Sequence, residues 1–233
     1  MKSTKLIATF GLIAALAGGA AAFAQTAPST KTDDKTTEKG KEAPREGRKA
    51  GEGKKAAKAA SLVGQPAPAF TLKDSAGKSV SLSDYAGKVV VLEWMNPGCP
   101  VCKGKMADGS VGKMIAAARE LNKDVVFLFI NSTAATADKP AASGEYLAAY
   151  KVESPALIDG DGKVGKAYGA KTTPHCFVID AKGVLVYDGA IDNEGSTNYV
   201  VNAVKALKEG AAVTPATTTP YGCSVKYARP SAS

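Results

Sequence analysis

Hydrophobic and polar positions follow two kinds of pattern from residue 61 onward. Apolar runs occupy 88–95 and 124–130, as in strands that are covered on both faces. Apolar residues at helical spacing in 111–118 and 199–207 predict amphipathic helices. The remaining patterns predict short strands at 70–72, 79–82, 155–158, 176–180 and 184–187, and short helices from 100, at 143–150 and at 164–168. This order predicts an α/β fold, a mixed β-sheet flanked by helices in a single domain.

The first 60 residues lack these patterns. Two lysines, an apolar run and an Ala-Phe-Ala site indicate a secretory signal peptide over 1–24, with an uncleaved membrane anchor as the alternative. Segment 25–60 is rich in Lys, Ala and Thr, has no aromatic residue, Leu, Ile or Val, and is predicted to be a disordered spacer. The folded domain is therefore expected at 61–210, followed by a C-terminal tail at 211–233. After cleavage the mature chain would be periplasmic or secreted.

The charge distribution narrows the range of partners. The chain carries a formal net charge of +8, and residues 1–60 contribute a net +6 of it. The predicted domain is nearly neutral and contains no nucleic-acid recognition motif, so no nucleic-acid partner is expected. After 1–24, no stretch is apolar enough to cross a bilayer, which predicts no stable membrane insertion of the mature chain.

Cys99 and Cys102 form a C-x-x-C motif at the junction between a predicted buried strand and a predicted helix. Pro100 between them suits the first position of a helix. The unpaired N–H groups and the dipole at a helix start favour a thiolate, which is the reactive form of cysteine. The second thiol is near enough to attack a mixed disulfide formed by the first. A structural zinc site would need a second pair of ligands at matching spacing, which the chain lacks, so dithiol–disulfide exchange is predicted.

Residues 63–208 resemble the thioredoxin superfamily. The branch concerned holds exported thioredoxin-like reductases and the alkyl hydroperoxide reductase/thiol-specific antioxidant proteins. The resemblance is carried by Gly64-Gln65-x-Ala-Pro68-x-Phe70, Gly87-Lys88-Val-Val-Val-Leu, the C-P-x-C motif and Thr172-Thr173-Pro174. Residues 221–227 resemble the ending of bacterial redoxin-domain proteins. The resemblance implies a thioredoxin-like fold and no cofactor other than a redox-active disulfide between Cys99 and Cys102.

The resemblance also implies roles for individual residues. Cys99 would attack and Cys102 would resolve the mixed disulfide. Glu93 lies six residues before Cys99, where thioredoxins carry a buried acid beneath the dithiol. Burial would raise the pKa of this carboxyl and let it shuttle the proton of Cys102. The alternative for Glu93 is a surface position in an edge strand.

Three further residues are expected to contact substrate. Thr173 and Pro174 match the loop whose cis proline faces the active cysteine in this fold, where Pro174 would dock the substrate chain. An ordinary trans proline at the start of a strand is the alternative. Trp94, next to Glu93, is expected to form part of the core or of the substrate-binding wall.

Three functions follow from these residues. The leading prediction is an exported thiol–disulfide oxidoreductase that exchanges disulfides with protein substrates and with a redox partner protein. A peroxiredoxin-like thiol peroxidase is the second prediction. It ranks below the first because the peroxidase pattern Pro-x-x-x-Thr-x-x-Cys is absent, with Leu92 in place of its Pro and Asn96 in place of its Thr. The third is a Cu(I) carrier that uses Cys99, Cys102 and His175.

The two remaining cysteines, Cys176 and Cys223, lie outside the C-x-x-C motif. Successive residues of a strand face opposite sides, so Cys176 and His175 should not both face Cys99. Cys176 is therefore expected to be a buried, inert thiol. Cys223 in the tail could fold back as a third redox partner or pair with Cys176, and both alternatives stay open at the level of sequence.

Overall fold

Seven strands form the central sheet in the computed structural model, which describes residues 61–229. The strands of the described part are β1 (Thr71–Asp74), β2 (Ser79–Ser81), β3 (Val90–Trp94), β4 (Val126–Asn131), β5 (Ala156–Ile158), β6 (Thr172–Thr173), β7 (His175–Ile179), β8 (Leu185–Gly189) and β9 (Cys223–Ser224). The helices are α1 (Pro100–Ala107), α2 (Ser110–Leu121), α3 (Ala134–Ala137), α4 (Pro140–Ala149), α5 (Lys163–Tyr168) and α6 (Tyr199–Lys208), with a 3₁₀ turn at Leu82–Tyr85.

The sheet has the strand order β2-β1-β5-β4-β3-β7-β8. The three central strands, β3, β4 and β5, run parallel to one another. On either side of them the pairing is antiparallel: β1 pairs with β2 and β5, and β7 pairs with β3 and β8. The remaining strands, β6 and β9, form a separate antiparallel pair. The predicted α/β class, with a mixed sheet flanked by helices, is confirmed.

Strand β3 is central and apolar because both of its faces are covered. All five of its residues are buried. Val91 belongs to a core cluster that includes residues of α1, α2 and α6, whereas Leu92 and Trp94 belong to a second cluster on the other face of the sheet. This double coverage explains why the apolar run of β3 does not alternate with polar residues.

Helices α1 and α2 are separated at Gly109. This residue has φ of +77°, a conformation that glycine adopts without steric cost, and it precedes the first residue of α2. Asp108 accepts a hydrogen bond from the N–H of Ser110 at 2.8 Å. The break lets α2 pack against α6, while α1 stays short and holds its N-terminus at the end of β3.

Most predicted elements occur within a few residues of their expected bounds. Helix α4 begins at Pro140 rather than at 143, because proline starts a helix as readily here as in α1. Strand β9 and its pairing with β6 were not predicted. The signal peptide and the spacer predicted for 1–24 and 25–60 lie outside the described residues.

Within residues 61–229, no helix combines the length and the apolar character needed to cross a membrane.

Candidate active site

Cys99 lies where β3 has ended and α1 begins. It is the N-cap residue of α1, with φ of −81° and ψ of 122°. The loop before it is fixed by Asn96, whose side chain accepts from the N–H of Gly98 at 2.8 Å and whose carbonyl accepts from the N–H of Cys99 at 2.9 Å. The chain therefore presents the Cys99 thiol at the start of a helix, where the free N–H groups and the helix dipole stabilise negative charge.

The Cys99 sulfur contacts two segments that are far away in sequence. Its Sγ atom lies 3.1 Å from the carbonyl oxygen of Thr173 and 2.8 Å from the Sγ atom of Cys223. Cys99 and Cys102 are 1% and 2% exposed, whereas Cys223 is half-buried. All three cysteines are reduced in this structure. The site therefore brings together three cysteines, the dithiol of the C-x-x-C motif and one from the tail.

The two thiols of the motif have different acidities. Burial opposes ionisation of Cys99, but hydrogen bonds from the Cys223 and Thr173 side chains and from the backbone of Cys102 and Cys223 outweigh it and lower its pKa to about 7. Burial, followed by the nearby Glu93 carboxyl, raises the pKa of Cys102 well above its ordinary value. Cys99 is therefore the nucleophilic member of the pair at neutral pH, and Cys102 stays protonated until it is needed.

Glu93 is buried in β3 on the same face of the sheet as the dithiol. It is 2% exposed, and burial raises the pKa of its carboxyl to about 8. Its Oε2 atom and the hydroxyl of Tyr146 have no hydrogen-bond partner among residues 61–229. An acid with a pKa near neutrality can give up and take back a proton at physiological pH. The surface position considered for Glu93 is wrong.

Trp94 does not line this site. It is fully buried on the opposite face of the sheet, where its ring lies 5.2 Å from Tyr168 and 5.1 Å from Phe177, centroid to centroid. Its Nε1–H donates to the Ser132 hydroxyl at 2.9 Å. The prediction that Trp94 contacts substrate is therefore wrong, because adjacent residues of a strand face opposite sides and Glu93 takes the side of the dithiol.

Thr173 and Pro174 lie beside the Cys99 thiol. The Thr173–Pro174 peptide bond is cis, so the alternative of a trans proline is wrong. Thr173 belongs to β6, which pairs antiparallel with β9 so that Thr173 faces Cys223 in register. The backbone edge next to the nucleophile is thus already paired with a strand from the chain's own tail.

Contacts on both sides of Cys223 hold the tail in place. Tyr221 donates from its hydroxyl to Asp192, which also accepts from the Lys105 ammonium at 2.6 Å. The N–H of Val225 donates to the carbonyl of Lys171 at 2.9 Å. Further along, the Tyr227 hydroxyl donates to the carbonyl of Ala170, and the backbone carbonyl of Lys226 accepts from the N–H of Ala134. The contact between Lys105 and Asp192 was not predicted from the sequence, because no local motif links the two residues to the tail.

His175 and Cys176 occupy opposite faces of β7, as their adjacency predicts. His175 accepts from the N–H of Lys171 through Nδ1 at 3.1 Å, and its Nε2 lies 2.7 Å from the Asp188 carboxylate. Its ring lies against Phe177, 4.4 Å from centroid to centroid and tilted by 37°. Phe177 belongs to the cluster on the far side of the sheet from Cys99. A carrier that binds Cu(I) through Cys99, Cys102 and His175 is therefore contradicted, because His175 cannot reach the thiols.

Cys176 belongs to the core cluster that contains Cys99 and Cys102. It is fully buried and lies across from Glu93 in the β3–β7 pairing. Burial raises the pKa of Cys176 well above its ordinary value. A thiol in this environment is inert, which agrees with the expectation from sequence.

Comparison with known proteins identifies the family. The family model described as Redoxin matches residues 62–207. The chain belongs to the redoxin family. As a redoxin it is a thioredoxin-like oxidoreductase, and its general function is thiol redox chemistry. The predicted resemblance to the thioredoxin superfamily is therefore confirmed.

Two curated relatives of this redoxin carry different names. The thiol–disulfide oxidoreductase ResA of Bacillus thuringiensis is 26% identical over 126 residues, which cover 54% of this chain and 68% of that protein. A candidate peroxiredoxin of Mycobacterium tuberculosis is 29% identical over 144 residues, which cover 61% of this chain and 86% of that protein.

Solved structures of two uncharacterised proteins share the fold. One, from Geobacillus kaustophilus, has a TM-score of 0.63 and 28% identity and covers 73% of this chain and 94% of its own. The other, from Sinorhizobium meliloti, has a TM-score of 0.60 and 26% identity and covers 71% of this chain and 94% of its own.

Proposed function

We propose that this redoxin is an exported thiol–disulfide oxidoreductase that exchanges disulfides with protein substrates through Cys99 and Cys102. The observation that carries the proposal is the unequal pair of thiols at the start of α1. The pKa of Cys99 is about 7, where burial is outweighed by hydrogen bonds, whereas burial raises the pKa of Cys102. Exchange needs one thiol that attacks and a second that waits beside it.

In the proposed reaction the Cys99 thiolate attacks one sulfur of a substrate disulfide, and the other substrate sulfur leaves as a thiolate. Cys102 then loses its proton and attacks Cys99 Sγ. The bond between Cys99 and the substrate breaks, the second substrate sulfur leaves, and the Cys99–Cys102 disulfide forms. Two electrons pass from the dithiol to the substrate, and the same steps in reverse oxidise a substrate dithiol.

Glu93 is proposed to move the proton of Cys102. Its burial beside Cys102 and its pKa of about 8, raised by that burial, support this role. The ionised fraction takes the proton when Cys102 attacks. In the reverse direction, the protonated acid returns it as Cys102 leaves.

Thr173 and Pro174 are proposed to dock the substrate chain. The support is the antiparallel pairing of Thr173 in β6, which offers backbone groups beside the Cys99 thiol. An extended substrate segment could pair with the same edge and bring its disulfide to Cys99.

The location and the partners of the protein are also proposals. The signal-peptide pattern of 1–24 supports export to the periplasm or outside the cell, where disulfides persist. The partners are then protein thiols and disulfides together with a redox partner protein. The redox-active disulfide Cys99–Cys102 takes the place of a bound cofactor.

Insulin reduction by dithiothreitol tests the proposed function. The wild-type chain should accelerate it, and Cys99→Ser should reduce the rate to that of dithiothreitol alone, because the nucleophile is gone. Cys176→Ala, which removes an inert buried thiol, is the matched control and should retain activity. Equal turnover by wild type and Cys99→Ser would refute the assignment.

A thiol peroxidase is the second candidate, favoured by the similarity to the candidate peroxiredoxin of Mycobacterium tuberculosis. In that reaction Cys99 would attack hydrogen peroxide, form a sulfenic acid and condense with a second thiol. The same variants assayed with hydrogen peroxide separate the two functions. Peroxide consumption by wild type that is much faster than that of free cysteine, and that is lost in Cys99→Ser, would favour the peroxidase.

A further inference from the structure

The C-terminal tail places a third cysteine at the reacting sulfur. We propose that β9 is an internal occupant of the substrate dock and that Cys223 is a third exchange cysteine, which forms a disulfide with Cys99 when no substrate is docked. This inference rests on the proposed function, because it assigns a partner to the nucleophile of that reaction.

Strand β9 lies where a docked substrate strand would lie. It pairs antiparallel with β6, Thr173 opposite Cys223 and Thr172 opposite Ser224, and so takes the backbone edge that a substrate strand would need. The two sulfurs, Cys99 Sγ and Cys223 Sγ, are 2.8 Å apart. A substrate cysteine attacked by Cys99 would have to stand where Cys223 stands. The tail therefore imitates a docked substrate.

The tail packs closely against the backbone of β6. Gly222 has φ of +122°, and a Cβ atom at this position would collide with the carbonyl oxygen of Thr173. The residue before the cysteine must therefore be glycine for the strand to approach so closely. Tyr221, bonded to Asp192, and Val225, bonded to Lys171, hold the strand on both sides of Cys223.

The tail also limits the access of other molecules to Cys99 and Cys102. With β9 paired to β6, Cys99 and Cys102 are only 1% and 2% exposed. Cys223 is half-buried and is the most exposed of the three cysteines at the site. A thiol from another molecule that approaches the closed protein therefore meets Cys223 first. A protein substrate that pairs with β6 must displace the tail.

The exchange starts from the Cys99–Cys102 disulfide and needs no outside oxidant. In the oxidised protein, the Cys223 thiol gives up its proton and attacks Cys99 Sγ. The Cys99–Cys102 bond breaks, and Cys102 takes up a proton. The disulfide moves to Cys99–Cys223 with no net oxidation. A dithiol reductant can then attack Cys223 and expel Cys99, the better leaving group because its thiolate is the more stable. The second thiol of the reductant completes the transfer of two electrons.

Disulfide mapping in the full chain with Cys102→Ser tests the proposal. The variant is equilibrated with reduced and oxidised glutathione, quenched with acid, alkylated and digested with trypsin. Trypsin separates the cysteines into peptides 89–103, 172–182 and 209–226. We expect peptides 89–103 and 209–226 to be joined, in a chain that runs as a monomer on a non-reducing gel. Glutathione on Cys99 with Cys223 free would overturn the proposal, and so would a disulfide between two chains.

A glycine variant tests the position of β9 against β6 without removing a thiol. Gly222→Ala added to Cys102→Ser should reduce the fraction of chains with a Cys99–Cys223 disulfide at least about tenfold, because the new Cβ moves β9 away from Thr173. Gly210→Ala is the matched control, since Gly210 also has a positive φ, of +66°, but no atom would lie within 4 Å of its Cβ. Equal fractions of the Cys99–Cys223 disulfide in the two glycine variants would overturn the proposal.

Competition for the dock gives a second measurement. In the otherwise wild-type chain, Gly222→Ala should lower the KM for insulin by about threefold or more, since substrate no longer has to displace β9. An unchanged or higher KM would overturn the proposal that β9 occupies the substrate dock. Insulin reduction that depends on Cys99 without any Cys99–Cys223 disulfide would refute this inference and leave the proposed function standing. Insulin reduction that does not depend on Cys99 would refute the proposed function itself.

Discussion

Replacing Glu93 with glutamine should raise the free energy of unfolding by about 3 kcal/mol at pH 7. In the folded protein, burial raises the pKa of Glu93 from 4.5 to about 8, so the acid keeps its proton at neutral pH. The unfolded chain releases that proton above pH 4.5, and this release favours unfolding. Glutamine has nearly the shape of the neutral acid and no proton to release, so it removes this destabilising contribution.

The sign and the pH range follow from the same two pKa values. The folded pKa is raised, so the stability of the wild type falls as the pH rises from 4.5 to about 8 and then levels off. Urea unfolding should show no difference between wild type and Glu93→Gln at pH 4, and about 5 kcal/mol at pH 9. Insulin reduction should meanwhile fall by about 100-fold, because Cys102 loses its proton acceptor.

Glu153→Gln is the matched control for this prediction. Glu153 is exposed, so its replacement makes the same change of side chain without touching a buried carboxyl. This control should show no stability gain that grows with pH. A stability difference for Glu93→Gln that stays constant from pH 4 to pH 9 would mean that the folded protein does not hold the Glu93 proton.

Trp94→Ala should lower the free energy of unfolding by about 4 kcal/mol, because it leaves a cavity in the core on the face away from the dithiol. Trp94 is fully buried against Tyr168 and Phe177, and Ser132 would also lose the hydrogen bond from the indole N–H. Urea unfolding followed by circular dichroism measures this loss.

Trp94→Phe separates a core role from a substrate-binding role. The milder replacement keeps most of the packing, so the variant should fold, and its kcat/KM for insulin should stay within about twofold of the wild type. A tenfold loss of kcat/KM in a stable Trp94→Phe protein would mean that the indole contacts substrate after all.

The sequence predicted the sheet and the dithiol because both have local signals. The uninterrupted apolar run of β3 and the proline that starts α1 lie next to the C-x-x-C motif, so the strand, the turn and the helix could be predicted together. The sequence left Trp94 between the core and the substrate-binding wall, although the signal that decides between them was present. If Glu93 faces the dithiol, its neighbour in the strand must face away.

The position of the tail could not be predicted in the same way. Strand β9 has two residues, too few for any periodicity, and its partner Thr173 lies 50 residues earlier. The Lys105–Asp192 pair that holds Tyr221 joins residues 87 apart in the chain. Such contacts depend on the whole fold, so the sequence left Cys223 with two alternatives, and only the structure brings it to Cys99.

Trapping a substrate on the enzyme tests the central claim most directly. In the full chain with Cys102→Ser and Cys223→Ser, neither neighbouring thiol can resolve the mixed disulfide, so insulin should stay covalently bound. After alkylation and digestion, an insulin peptide should be joined to peptide 89–103 through Cys99, the only cysteine left in that peptide. Insulin joined to Cys176 in peptide 172–182, or no covalent complex while Cys99 remains a free thiol, would contradict the account.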